Sequence, residues 1–391
     1  MISLKEEMHA HLAKDILPYW SENTIDAVYG GFIGRIDGKD APHPHADKGC
    51  ILNARILWTF SAAYHQLKDV QYLHIAQRAF DYFTSRFFDR EFGGVYWSVD
   101  YLGHAKADKK QVYAQAFAMY GLAAYHQSAH DPLALDLAID LFWLIEKHAF
   151  DQQYNGYLEA FDREWHLLDD LRLSEKDANE KKTMNTHLHI LEAYTTLFRS
   201  WKDEHLRQQL HNLITLFLDK FVNRQYRFNL FFDEKWNLKS DEISFGHDIE
   251  GSWLLQEAAE VLGDERLMQL TRANANLMVD EVLRRGFDAD GGLMYEADQE
   301  RVTDTDKHWW PQAEAIVGLA NAWQNTRDQK YLLKAGYVWR FIQARMIDRA
   351  GGEWYFKVDK KGQPYADEDK AGPWKCPYHN GRACLEMIKR F

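Results

Sequence analysis

Apolar residues recur every three or four positions through twelve stretches of this chain. Leu12, Ile16 and Trp20 share one face at that spacing, as do Ile56, Phe60 and Ala63. This is the period of an α-helix of about 3.6 residues per turn. It predicts helices over 4–22, 48–67, 71–88, 111–127, 132–150, 184–201, 204–222, 245–262, 265–286, 309–326, 330–348 and 377–391. Polar breaks such as Asp131, Asp264 and Asn325 are too short to do more than turn the chain between partners, so the helices read as hairpins.

A second pattern punctuates the hairpins: glycine, an apolar or aromatic pair, then an acid. It runs from Gly30-Gly31-Phe32 to Asp37 and returns from Gly93-Gly94-Val95 to Asp100. Further copies start at Gly156-Tyr157, Gly291-Gly292 and Gly351-Gly352, and a degenerate one runs from Tyr226 to Asp233. Each predicts a turn feeding a short strand. Gly31, Gly94 and Gly156 are spaced by 63 and 62 residues, and Gly292 and Gly352 by 60. A long, nearly fixed period signals an array of supersecondary units. Six helical hairpins closed by the two ends of the chain make an all-α fold, an (α/α)6 barrel. Its short β-strands lie in the connecting loops, and residues 1–391 form a single domain. Six inner helices line a central cavity in such a toroid. The polar stretch 163–183 is longer than its counterparts. It reads equally as a solvated insertion or as a loop folded over the cavity mouth.

Composition narrows the partners. The net charge is −12, with no basic run, which disfavours nucleic acid and anionic membranes. No apolar run approaches the ~20 residues needed to span a bilayer, and Met1 to His11 lack an apolar signal core. Three cysteines, Cys50, Cys376 and Cys384, form neither a disulfide framework nor a zinc motif. A cytoplasmic monomer or homodimer, with no nucleic-acid and no membrane partner, is the expectation. The 14 Trp, 20 Tyr and 22 Phe either fill a helical core or pack on the C–H faces of sugars.

The first turns of the inner helices share one rim, which collects the candidate chemistry. It offers Asn53 and Arg55; Gln111, Tyr113 and Gln115; Asn185, His187 and His189; His247, Asp248 and Glu250; Trp309, Trp310, Gln312 and Glu314; and His379 and Arg382. Residues three or four apart share a helix face, so His247 is expected to pair with Glu250, which would orient its ring. Histidine titrates nearest neutrality and can take and return a proton, and Arg55 could stabilise an oxyanion. Two other chemistries stay open on these residues. Three histidines and a carboxylate suit a metal, although no tight His-Glu-x-x-His pair occurs. Glu250 and Glu314 could serve an inverting glycosidase.

Five segments carry a resemblance. They are Leu52-Asn53-Ala54-Arg55-Ile56-Leu57-Trp58, Met184-Asn185-Thr186-His187-Leu188-His189, Ser244-Phe245-Gly246-His247-Asp248-Ile249-Glu250-Gly251-Ser252-Trp253, Trp309-Trp310-Pro311-Gln312-Ala313-Glu314 and Gly372-Pro373-Trp374-Lys375-Cys376-Pro377-Tyr378-His379-Asn380-Gly381-Arg382. With them the chain resembles the N-acyl-D-glucosamine 2-epimerase superfamily over nearly its whole length. The resemblance implies epimerisation at C2 of a reducing-end sugar, with no cofactor and no metal. It implies His247 and His379 as the acid/base pair, with His189 assisting ring opening. Arg55, Tyr113, Asn185, Glu250, Trp310, Glu314 and Trp374 are the expected substrate contacts. The expected partner is a small-molecule disaccharide such as cellobiose or lactose. Monosaccharide epimerases and aldose–ketose isomerases of the same superfamily are the alternative.

Overall fold

The computed structural model describes residues 2–391; Met1, at the head of the expected domain, lies outside the described residues. Six helices form an inner ring: α3 (Cys50–Leu67), α5 (Val112–Ala129), α7 (Met184–Ser200), α9 (Phe245–Leu262), α11 (Trp309–Thr326) and α13 (Tyr378–Arg390). Each packs on the next, and α13 returns to α3. The outer layer comprises α4 (Val70–Arg86), α6 (Pro132–His148), α8 (Glu204–Leu216), α10 (Glu265–Arg285) and α12 (Gln329–Phe341). The last outer position is filled by α1 (Ile2–His11), which packs on α13. The two ends of the chain thus complete one hairpin, and the fold is the expected (α/α)6 barrel.

The first segment departs from a regular helix. Between α1 and α2 (Leu17–Asn23) lies one wide π turn, Leu12–Ile16, closed by Leu17 N–H donating to the Leu12 carbonyl. Pro18 follows at once. The same wide turn recurs at Phe217–Phe221 and Ile342–Met346, within the segments predicted as helices over 204–222 and 330–348.

Inner helices are buried on nearly all sides, so their spacing is tight. Gly121 of α5 faces the carbonyl of Ala54 on α3; a Cβ there would lie 2.8 Å from that oxygen. In the same way Gly318 of α11 accommodates Ile249 of α9.

A short strand immediately precedes each of five inner helices and fixes where it starts. Lys48–Gly49, Lys110–Gln111, Lys182–Thr183, Ile243–Ser244 and Lys307–His308 each pair antiparallel with a strand from the following glycine turn. The first residue of four of these strands is a fully buried lysine. Each lysine binds the aspartate that heads the preceding glycine turn: Lys48 with Asp26, Lys110 with Asp89, Lys182 with Asp151 and Lys307 with Asp288, at 2.7 to 2.9 Å. Lys370 repeats the contact with Asp348 at 2.7 Å. The degenerate fourth copy has lost both partners together, carrying Asn223 and Ile243 instead. That is the expected outcome, because removing one member of a buried pair strands the other's charge at a cost of about 3–5 kcal/mol.

Gly121→Ala tests the helix spacing. Alanine should favour an isolated helix by about 1 kcal/mol. Here the contact with Ala54 dominates, and overpacking typically costs ~1–3 kcal/mol. A lowered melting temperature by calorimetry is expected; a raised one would contradict this packing.

Candidate active site

Counting each inner helix from the first residue after its strand separates two sets of polar side chains. The fourth residues face outward and hold the glycine turns. Val95 N–H donates to Gln115 Oε1 (2.8 Å), Tyr157 N–H to His187 Nε2 (2.9 Å), Phe228 N–H to Asp248 Oδ1 (2.7 Å) and Leu293 N–H to Gln312 Oε1 (2.7 Å). Asn53 differs: its Nδ2 donates to the carbonyl of Gly49, the residue that opens its own helix. The sixth residues are Arg55, Phe117, His189, Glu250, Glu314 and, counted from Pro377, Arg382. Of these, all but Phe117 are among the rim candidates that the sequence offers.

The rim candidates therefore divide. Gln115, His187, Asp248, Gln312 and Asn53 are scaffold. His187 is closed off on both ring nitrogens, since Nδ1 also binds the Thr183 carbonyl at 2.7 Å. Arg55, Tyr113, Asn185, His189, His247, Glu250, Trp310, Trp374 and His379 line one cavity of about 550 Å³. Glu314 lies directly behind His379. Residues 171–178 of the long polar stretch form part of the cavity wall. Gln111 Nε2 fastens it by donating to the Leu171 carbonyl at 2.9 Å.

At the cavity floor Arg382 is almost wholly buried and binds three carboxyl groups. Its guanidinium donates to Glu250 at 2.6 Å, to Glu314 at 2.7 Å and, in a very close contact, to Glu192. Glu314 accepts in turn from His379 Nδ1 at 2.7 Å and from Trp253 Nε1 at 3.2 Å. Glu192 pairs with His189 Nδ1 at 3.1 Å and accepts from Tyr378. Glu192 is absent from the rim list, yet its place three residues after His189 on α7 is the spacing that would have revealed it.

The expected His247–Glu250 pair does not form. His247 Nδ1 pairs with Ser244 Oγ at 2.9 Å, while Glu250 turns to Arg382. The reason is placement: His247 is the third residue of its helix and stays at the rim, whereas Glu250 reaches the floor. The carboxyl that orients a histidine is Glu314, acting on His379. In both His247 and His379 the Nδ1 atom is engaged, which leaves Nε2 for a bound molecule. Both rings pack on Trp310, at 4.8 and 5.6 Å between centroids.

Burial sets the protonation states. It lowers His247 to about 3, with the nearby charge of His189 adding to the shift. It lowers His379 well below the usual imidazole range, reinforced by Arg55 and Arg382. Both rings are therefore neutral at pH 7 and can accept a proton. Glu250 is pushed up to about 8 by burial and then by Glu314, which favours its protonated form. Glu192 goes the other way: burial raises it, but Arg382 and His189 outweigh burial and hold it low.

Arg55 donates to Tyr113 Oη at 2.9 Å and lies 4.2 Å over the Phe117 ring. Its Nε, Asn185 Oδ1, His308 Nε2 and Trp309 Nε1 are buried without a protein partner, and all four residues line the cavity. Buried polar atoms rarely go unpaired, so these four are suited to the hydroxyls of a polyol.

Two other readings of the rim can be tested on geometry. Glu250, Glu314 and His379 bring donor atoms within 4.8 Å of one another, a grouping that could hold a cation. Arg382 already places its guanidinium on both carboxyls there. An inverting glycosidase needs carboxyls roughly 6.5–9.5 Å apart across a sugar; Glu250 and Glu314 instead share one guanidinium beneath the cavity.

The molecule is an (α/α)6 barrel with a cavity lined by histidines and by buried polar atoms that lack a protein partner. The chain belongs to the N-acylglucosamine 2-epimerase family, whose model matches residues 31–383. It is 49% identical over 390 residues to a cellobiose 2-epimerase of Bacteroides fragilis, covering 98% of each chain. The solved cellobiose 2-epimerase of Bacillus thermoamylovorans superposes with a TM-score of 0.95 at 41% identity, over 100% of both chains. A family 76 mannosidase of Bacteroides thetaiotaomicron shares only the fold, with a TM-score of 0.64 at 11% identity over 97% of this chain and 98% of its own. Among the described residues no helix is long and apolar enough to cross a membrane.

His187→Gln tests the division into two sets, because Gln115 and Gln312 do the same work elsewhere. The variant should fold and keep most of its turnover. Burial lowers His187 to about 3, below the ~6.5 of an unfolded histidine. Its contribution to stability is therefore complete above pH 6.5 and is lost as pH falls towards 3. Between pH 7 and pH 5 the wild type should lose about 2 kcal/mol through this residue that the variant keeps. Urea unfolding at both pH values reads the difference. Loss of turnover with the fold intact would move His187 into the chemistry.

Proposed function

We propose that this chain, acting as one domain over residues 1–391, is a cellobiose 2-epimerase. It would interconvert glucose and mannose at the reducing end of β-1,4-linked disaccharides such as cellobiose and lactose. The observation that carries the reading is the pair His247 and His379, both neutral, both with Nδ1 engaged and both lining one cavity. The full-length similarity to cellobiose 2-epimerases supports the substrate class.

The chemistry follows from what C2 requires. Its proton is acidic only when C1 is a carbonyl, so the ring must open first. His189 is placed for that step, held by Glu192 at 3.1 Å. One imidazole then removes the C2 proton and leaves an enediol, and the other returns a proton to the opposite side. Arg55 and Tyr113 face the developing oxyanion, where a preorganised donor is worth more than in water. Glu314 would steady the imidazolium formed on His379. Glu250 and Asn185 offer hydrogen bonds to the reacting sugar, and Trp310, on which both histidines pack, offers that ring an aromatic face. Trp374 lies before α13, about 6.0 Å from Trp97 and from Tyr113 between ring centroids, and gives the second sugar ring an aromatic face.

The test is product analysis with cellobiose in deuterium oxide. Wild type should form glucosyl-mannose carrying deuterium at C2, read by proton NMR. His247→Ala and His379→Ala should each lower turnover by about 100- to 10,000-fold, the usual worth of a general acid or base, with unchanged circular dichroism. Glucose release would instead indicate a hydrolase. Unlabelled product would indicate an internal hydride shift.

A further inference from the structure

Five inner helices are entered from a paired strand, but α13 is not. After Ala371 bridges Ile36, residues 372–377 reach Tyr378 through Pro373 and Pro377 with no strand between. This stretch carries Trp374 and leads directly into His379. Two residues of the cavity thus depend on the inner-helix entry with the least backbone registration.

One side chain ties that entry down. Glu353 is fully buried and sits at φ +63°, in the left-handed region. Gly31, Gly94 and Gly156 hold the matching place in three other turns, at φ 63°, 73° and 83°. A non-glycine residue there is strained, and strain of this kind tends to persist where a site needs it. Its Oε1 accepts from Lys375 Nζ (2.9 Å), Asn380 Nδ2 (2.5 Å) and Trp354 N–H (2.7 Å), and its Oε2 from Trp20 Nε1 (2.5 Å). The usual arrangement is reversed here. In four other repeats the fourth helix residue accepts from the turn; in this one Asn380, the fourth residue from Pro377, donates to an acid supplied by the turn. Lys375 and Asn380 bracket the approach to His379, and both are buried.

We infer that Glu353 is a positioning residue for the reaction: through Lys375 and Asn380 it sets where Trp374 and His379 stand in the cavity. The inference rests on the activity proposed above. Glu353 touches no substrate and acts only by replacing the registration that a strand gives elsewhere.

Removing Glu353 alone strands the buried Lys375 charge, so the main variant is Glu353→Met with Lys375→Met. Its control is Asp26→Asn with Lys48→Met, an equivalent buried pair whose strand 48–49 still pairs with 98–99. Both should fold by circular dichroism with similar losses in melting temperature. The control should keep wild-type kcat on cellobiose. The Glu353/Lys375 variant should lose about 100-fold in kcat, the cost of a displacement near 1 Å at a reacting group, with KM changed far less. Glu353→Gln, which keeps the shape and one acceptor but leaves Lys375 without its counter-ion, is the second variant; it should lower the melting temperature and lose about tenfold in kcat. Wild-type kcat in either Glu353 variant overturns the inference, as does an equal kcat loss in the control. A wild-type enzyme that does not epimerise cellobiose overturns the activity itself and this inference with it.

Discussion

The site depends on one buried guanidinium. Arg382 is the cation among Glu192, Glu250 and Glu314 on the cavity floor. Three carboxyl groups so close, away from water, could not coexist in any charged form without it. Removing one partner of a buried ion pair costs about 3–5 kcal/mol, and here three pairs share one partner. Arg382 also decides what each acid does. Glu314 is fixed where it accepts a hydrogen bond from the Nδ1–H of His379, Glu192 is kept ionised beside His189, and Arg382 offsets only part of the burial and Glu314 charge that press Glu250 towards its neutral form. The positions of two histidines thus follow from a residue that meets the substrate only through them.

The repeat explains how such a floor arises. Five of the six inner helices start at the same face because a short strand sets their beginning, and a buried lysine–aspartate pair locks most of those strands to a glycine turn. Equivalent positions on the helices then acquire equivalent directions. Fourth residues meet the turns and sixth residues meet the axis. The site is built on the second, third and sixth places, leaving the fourth to hold the scaffold.

Much of this was legible in the sequence. Twelve periodic segments and recurring glycine turns give the toroid, because helical period and repeat spacing are local properties. Three outer helices hid a π turn, at Leu12–Ile16, Phe217–Phe221 and Ile342–Met346, since apolar period does not register one extra residue in a turn. Within the site, residue type and helix number located the rim, but spacing alone could not tell His187 from His189. Two residues apart, they point to opposite sides, and only the Tyr157 N–H that binds His187 reveals its task. The partnership of His247 with Glu250 failed for a similar reason. Spacing of three put them on one face, but the depth of the cavity gave Glu250 to Arg382. Glu314 reached His379 across 65 residues of sequence, a contact no local pattern contains.

The central claim is that His247 and His379 stand in the cavity as neutral imidazoles with Nε2 free to exchange a proton. Nitrogen NMR of the enzyme labelled at histidine measures this directly, with His247→Ala and His379→Ala spectra assigning the two rings. The account predicts that both signals are those of a neutral ring at pH 7, that His379 carries its proton on Nδ1, and that neither becomes imidazolium until the pH is well below the ~6.5 of a free histidine. An imidazolium signal at pH 7 from both rings, or titration of both at or above that value, would contradict it.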